Sequence, residues 1–170
     1  DPLWSRGLGD VYKRQAFHVA GNNVGLAPAP VAGSPVIEVS VTPFRPANSS
    51  STARPVTLRV DSTPGLACQS GGCGATLIPF SQIAWTASNN GAAATGDIQS
   101  GRLDGGANQQ IASFNANATF CSAPVLLLCL GYTYRSNAIS ATRMQFSYDN
   151  DVLYPAGNYR GTVRFTASME

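Results

Sequence analysis

Arg143-Met144-Gln145-Phe146-Ser147-Tyr148 puts Met144, Phe146 and Tyr148 on one side of an extended chain and Arg143, Gln145 and Ser147 on the other. Successive side chains of a strand point to opposite faces, so this is the pattern of a strand with one face in a core and one in water. The same alternation appears at Tyr159, Gly161, Val163 and Phe165 against Arg160, Thr162, Arg164 and Thr166. Between them, Pro155 presets a turn and Gly157 allows a bend. The two runs are therefore expected to form a closing hairpin, with Tyr159, Val163 and Phe165 opposite Met144, Phe146 and Tyr148. Gly161, on the inward face, is expected to leave room for a large neighbour such as Trp85.

Working outward, Ile37, Val39 and Val41 alternate with Glu38 and Ser40, and Val56, Leu58 and Val60 alternate with Thr57 and Arg59. Further strands are expected at Ala75–Phe80, at Gln82–Ala87 with Ile83 and Trp85 on one face, and at Gln109–Phe114. Val125–Leu130 is apolar without alternation, which fits either a strand covered on both sides or a buried helical turn. Clusters of Gly, Asn, Asp and Pro separate the runs at 43–54, 61–65, 88–96, 101–108 and 149–158, supplying the local hydrogen bonds and positive-φ positions that reverse a chain. The stretch 88–108 is poor in large side chains and reads as a long surface connection with one weak strand. Since no window of a dozen residues carries a helical stripe, the expected fold class is all-β. Half-apolar sheets must bury their faces against each other, so about seven to nine short strands imply an antiparallel β-sandwich, with a closed barrel as the alternative.

The chain has 170 residues, 44% of them hydrophobic and only 12% charged, with a formal charge of +2. One domain's worth of chain with no basic stripe argues against a nucleic-acid partner. Low charge with abundant small polar residues is the balance of a secreted or cell-surface protein, because average domains carry about 25% charged residues. No apolar run reaches the roughly 18 residues of a membrane span.

Residues 1–15 stand apart. They hold Trp4 and the only lysine, Lys13, and Gly9-Asp10-Val11-Tyr12-Lys13-Arg14-Gln15 resembles a translated sequencing adapter, to be set aside in fold reasoning. On that reading the natural N-terminus is missing and the rest is nearly neutral. Residues 16–34, rich in Ala and Pro, are expected to be a flexible leader or the remnant of a signal peptide. The domain proper is then expected to be 35–170.

The four cysteines are Cys68, Cys73, Cys121 and Cys129, which allow three pairings. Gly71 and Gly72 let the loop from Cys68 to Cys73 return on itself, which favours Cys68–Cys73 with Cys121–Cys129; pairing across the two sets would instead staple sheet to sheet. A zinc site is the rival, but neither spacing has the two-residue interval of zinc ribbons. Disulfides imply an oxidising compartment. His18, the only histidine, lies in the leader, so a histidine-based triad or metal centre has no material. Asp97 and Asp104 form a nominal glycosidase pair, although Asp among Gly and Ser ordinarily serves a turn. Asp149-Asn150-Asp151 lacks the spacing of a calcium loop and reads as an Asx-rich turn. No phosphate-binding or nucleophile-elbow motif appears. Neither metal nor cofactor is expected. Tyr132 and Tyr134, spaced to share one strand face, are the candidate ligand-binding residues, as a platform for a sugar ring; a cross-strand or core pair is the plainer reading.

The phrase Ala156-Gly157-Asn158-Tyr159-Arg160-Gly161-Thr162-Val163-Arg164-Phe165 resembles the closing strands of bacterial surface β-sandwich proteins, among them fimbrial subunits and WxL-type cell-wall-binding domains. The likeness covers about 25 residues and is a general β signal. It implies an immunoglobulin-like fold, export, and structural or adhesive work without catalysis, with other surface or fimbrial subunits as partners by strand addition. The WxL motif itself is absent, because Trp85 is followed by Thr86 and Ala87. The cysteine pattern differs from that common in pilins, and Pro28 and Pro30 make 16–34 a poor donor strand. The expected function is a secreted or periplasmic, non-catalytic structural or adhesive protein. A carbohydrate-binding module is the alternative.

Overall fold

In the computed structural model, the described residues are 13–24, 27–43, 54–116, 118–121, 124–125, 128–129, 132–135 and 138–170, with side chains described outside 118–135. The alternation at 143–148 belongs to the longest strand of an all-β, antiparallel architecture. In chain order the strands are β1 (Val31–Ala32), β2 (Ile37–Val41), β3 (Arg54–Asp61), β4 (Leu66–Cys68), β5 (Leu77–Ile78), β6 (Ile83–Ser88), β7 (Gly101–Arg102) and β8 (Gln109–Ala116). They continue as β9 (Ala118–Cys121), β10 (Pro124–Val125), β11 (Leu128–Cys129), β12 (Tyr132–Arg135), β13 (Ile139–Tyr148), β14 (Tyr159–Arg160) and β15 (Arg164–Met169). One five-stranded sheet centres on β13, with β1 and β2 along one edge and β6 then β7 along the other; a three-stranded sheet has the order β15-β3-β8. These two sheets hold eight of the strands, and the others form short two- or three-stranded ribbons.

The two principal sheets supply one core. Val56, Leu58, Val60, Ala112, Phe114 and Ala116 come from β3 and β8, and Ile83, Trp85, Ile139, Met144, Phe146 and Tyr148 from β6 and β13. Each aliphatic side chain withdrawn from water there contributes about 1.5–3 kcal/mol, which is why every-other-residue apolarity decides the pairing faces. Trp85 and Phe146, directly opposite on β6 and β13, pack with ring centroids 6.3 Å apart and planes tilted by 52°. The Trp85 indole N–H donates to the Gln99 carbonyl at 2.7 Å, so the ring is held at both ends.

β13 does not keep a single alternation. Ile139 and Thr142 are both buried although three residues apart, and the register with β2 shifts between them. The extra residue is Ala141 at φ +59°, a β-bulge that resets which side chains face the core. An alanine there carries the steric cost that glycine escapes. Its backbone is held by Ser40 Oγ, which accepts from the Ala141 N–H at 3.0 Å, and by Asn89, which donates to the Ala141 carbonyl at 3.0 Å.

Several expectations need correction. The closing hairpin does not form: β14 pairs with β4, β15 pairs with β3, and neither pairs with β13. After Tyr148 the chain leaves one principal sheet for the other, because a strand's alternation fixes the face it buries and says nothing of its neighbour. Tyr159 and Val163 pack against the core, whereas Phe165 is exposed. Gly161 does not face Trp85; a Cβ there would meet the Gly65 carbonyl oxygen and come within 2.7 Å of Phe80 Cζ. The glycine against Trp85 is Gly101 on β7, where a Cβ would lie 2.8 Å from Cζ2. Of the run 125–130, residues 126, 127 and 130 lie outside the described residues; Val125 of β10 stands opposite Leu128 of β11 in an antiparallel pair.

Described parts of 16–34, the segment expected as a leader, lie against the sheet. Ala16 bridges to Ser34, β1 pairs with the end of β13, and Phe17 and Val19 pack on the core. Buried Asn150 explains much of this docking. At φ +57° it directs its side-chain amide to the carbonyls of Asn23 at 2.8 Å and Ala29 at 3.3 Å.

Candidate functional site

Three places stand out: the cysteine loop and the loop around Asp97, where irregular backbone carries polar groups, and the regular but exposed edge strand β15.

The cysteine loop runs from Cys68, the last residue of β4, to Cys73, and the two are joined by a disulfide with Cα atoms 5.8 Å apart. That separation falls in the ordinary range for a bridge, and the pairing is the one the glycines at 71 and 72 suggested. The loop is pressed against the connection before β14. Gln69 N–H donates to the Asn158 carbonyl at 2.7 Å, and Asn158 N–H donates to Ser70 Oγ at 3.1 Å. Gly157 lies directly on the bridge, where a Cβ would collide with Cys73 Sγ and come within 2.8 Å of Ser70 Oγ. Its role is close approach, in addition to the bend read from the sequence. A six-residue ring gains little chain entropy, so the bridge acts locally, fixing a lobe made of β4, β5 and β14.

The loop from Asn89 to Asp97 borders a depression of about 320 Å³ that is also lined by Phe114, Ala138, Ile139 and Ser140. Asp97 sits at its wall, but its carboxylate is already engaged. Oδ2 accepts from Gly91 N–H at 2.6 Å, and Oδ1 accepts from Ile98 N–H at 2.6 Å and from the buried Thr142 hydroxyl at 3.0 Å. A carboxylate that accepts three protein donors is a structural tie rather than a free acid or base. Asp104 is bound in its own turn, accepting from Gly106 N–H at 2.7 Å. The two aspartates thus serve separate turns. The connection 88–108 contains the weak strand β7, as expected, but is more than surface, because fully buried Ile98 and Leu103 anchor it in the core.

Asp149, Asn150 and Asp151 are divided among different tasks. Asp149 forms an ion pair with Arg102, which also donates to the Ser81 carbonyl, while Asn150 holds 16–34. Because Arg102 is half exposed, the pair contributes at most about 1 kcal/mol. Next to it, Tyr148 is buried, and that burial, with Tyr154 and Asp151 beside it, pushes its hydroxyl up to about 12. Among the described residues no three His, Cys, Asp or Glu side chains share a metal-sized site, and no helix is long and apolar enough to cross a membrane. His18 is exposed.

Tyr132 and Tyr134 lie on β12, opposite Cys121 and Thr119 of β9, and Cys129 lies on β11 opposite Pro124. The side chains of Tyr132, Tyr134, Cys121 and Cys129 fall outside the described residues, and with them the sugar platform and the second disulfide.

The feature that sequence reading missed is the exposure of β15. All six of its residues are exposed, although Phe165, Ala167 and Met169 stand opposite Val60, Leu58 and Val56, which are among the most deeply buried residues of the chain. The alternation marked it as a strand, but whether a face is covered depends on how far the opposing sheet extends. Compared with protein-family models, with curated proteins and with solved structures, the chain has no match.

Proposed function

We propose that this chain is an extracytoplasmic, non-catalytic structural or adhesive module of a bacterial surface, fimbria-associated, which joins other surface subunits through strand edges. The observation that carries this reading is the Cys68–Cys73 disulfide set in an all-β frame. Such bridges persist where thiols are kept oxidised, outside the cytoplasm. Two further features support it: the carboxylates once eligible for acid–base work are spent on turns, and one principal sheet ends in an exposed strand.

The test is mass spectrometry of the protein exported to an oxidising compartment, intact and after non-reducing digestion. A peptide linking Cys68 to Cys73 is expected, and one linking Cys121 to Cys129. Free thiols at 68 and 73 after export, or retained zinc, would overturn the reading.

A further inference from the structure

We propose that two copies of this chain associate through β15, antiparallel and centred on Ala167, to make one continuous sheet across the pair. The backbone sets the phase. Glu170 N–H donates to the carbonyl of Pro55, the residue opposite it on β3, at 3.1 Å. Hydrogen-bonding groups of an antiparallel strand point alternately to one neighbour and the other. Phe165, Ala167 and Met169 therefore turn their N–H and C=O groups away from β3, towards an edge on which no strand pairs among the described residues. Water can satisfy such a row singly, but another extended chain satisfies it in register and at once.

The side chains select the occupant. In a twofold pairing centred on Ala167, the outward-pointing residues meet one another: Ala167 faces its own copy and Phe165 faces Met169 of the second chain. On the core side this places apolar against apolar, closing over side chains that are 36% and 43% exposed in the single chain. On the other side Thr166 meets Ser168, and Arg164 meets Glu170 of opposite charge, each contact occurring twice by symmetry. A one-residue slip would bring hydrogen-bonding groups against groups already spent on β3. A two-residue slip would part Arg164 from Glu170. Apart from the charge of Arg164, the devices that ordinarily guard an edge are missing from 164–169, which contains no proline and no lysine and pairs with β3 in six consecutive steps without a bulge.

This deepens the assembly reading, but its test is separate: reduced cysteines would overturn the compartment argument and leave the oligomeric state to be measured on its own. Sedimentation of the intact chain across a concentration series is expected to give a dimer that dissociates on dilution. Amide exchange at Phe165, Ala167 and Met169 is expected to slow as the dimer fills. Ala167→Pro removes an N–H that β3 does not use, so it is expected to leave the circular dichroism unchanged and raise the dimer Kd by at least about thirtyfold, for two lost hydrogen bonds. Ala167→Lys, which keeps every backbone bond, sets two cations face to face and is expected to yield a monomer should the proline variant fold poorly. A monomer at all concentrations, a dimer indifferent to Ala167→Lys, or exchange at the three amides independent of concentration would each overturn the proposal.

Discussion

Gly101→Ala is expected to destabilise the protein through a single contact. The added methyl would lie 2.8 Å from Trp85 Cζ2, 3.1 Å from Cη2 and 3.4 Å from Cε2, inside the roughly 3.5–4.0 Å of a relaxed carbon contact. The ring has little freedom to retreat, since its N–H is bonded to Gln99 and its face meets Phe146. Overpacking of this kind costs about 1–3 kcal/mol. Replacing glycine returns about 0.4–1 kcal/mol by restricting the unfolded chain. The net loss should be about 1.3 kcal/mol at the midpoints of these ranges and at most about 2.6 kcal/mol, the midpoint value corresponding to roughly 3–5 °C in Tm for a chain of this size. Urea unfolding followed by circular dichroism measures it. A double-mutant cycle isolates the contact: Trp85→Phe lacks the outer indole atoms, so the alanine should cost about 1 kcal/mol less in that background. Equal costs in both backgrounds would refute the placement of Trp85 beneath Gly101.

Two further outcomes follow from the same packing. Gly161→Val should lower stability by at least about 1–3 kcal/mol in urea melts, because its side chain would be driven against the Gly65 carbonyl and Phe80, and a backbone carbonyl cannot rotate aside; an unchanged midpoint would remove Gly161 from the junction of these segments. Tyr148 holds its proton more tightly folded than unfolded, so above pH 10 the unfolded chain deprotonates first and stability falls, continuing to fall until the folded-state value of about 12. Thermal melts of Tyr148→Phe should show a shallower decline than the parent between those pH values, and parallel curves would count against the burial of the hydroxyl.

Periodicity revealed the strands and their buried faces. Met144, Phe146, Tyr148, Val56, Leu58 and Val60 are in the core where alternation placed them. It did not reveal partners. Tyr159 and Phe165 belong to strands that pair with β4 and β3, because adjacency in a sheet is chosen by global packing that no local pattern encodes. The bulge at Ala141 was silent, since alanine gives no sign of a positive φ. Glycines were noticed, but Gly101 and Gly157 owe their identity to Trp85 and to the disulfide, neighbours remote in sequence. The Cys68–Cys73 bridge was legible for the opposite reason: both sulfurs and the glycines that join them lie within one loop.

The principal sheets are closed by strands made far apart in time. Val56 of β3 pairs with Met169, and Val31 of β1 pairs with Tyr148, each across more than a hundred residues of chain. At a synthesis rate of about 5–20 residues per second, β3 waits roughly 6–20 s for the strand that completes its sheet. For that interval Val56, Leu58 and Val60 lie on an unfinished surface whose far edge is bare. Contacts of such long range also fold slowly once the whole chain is present.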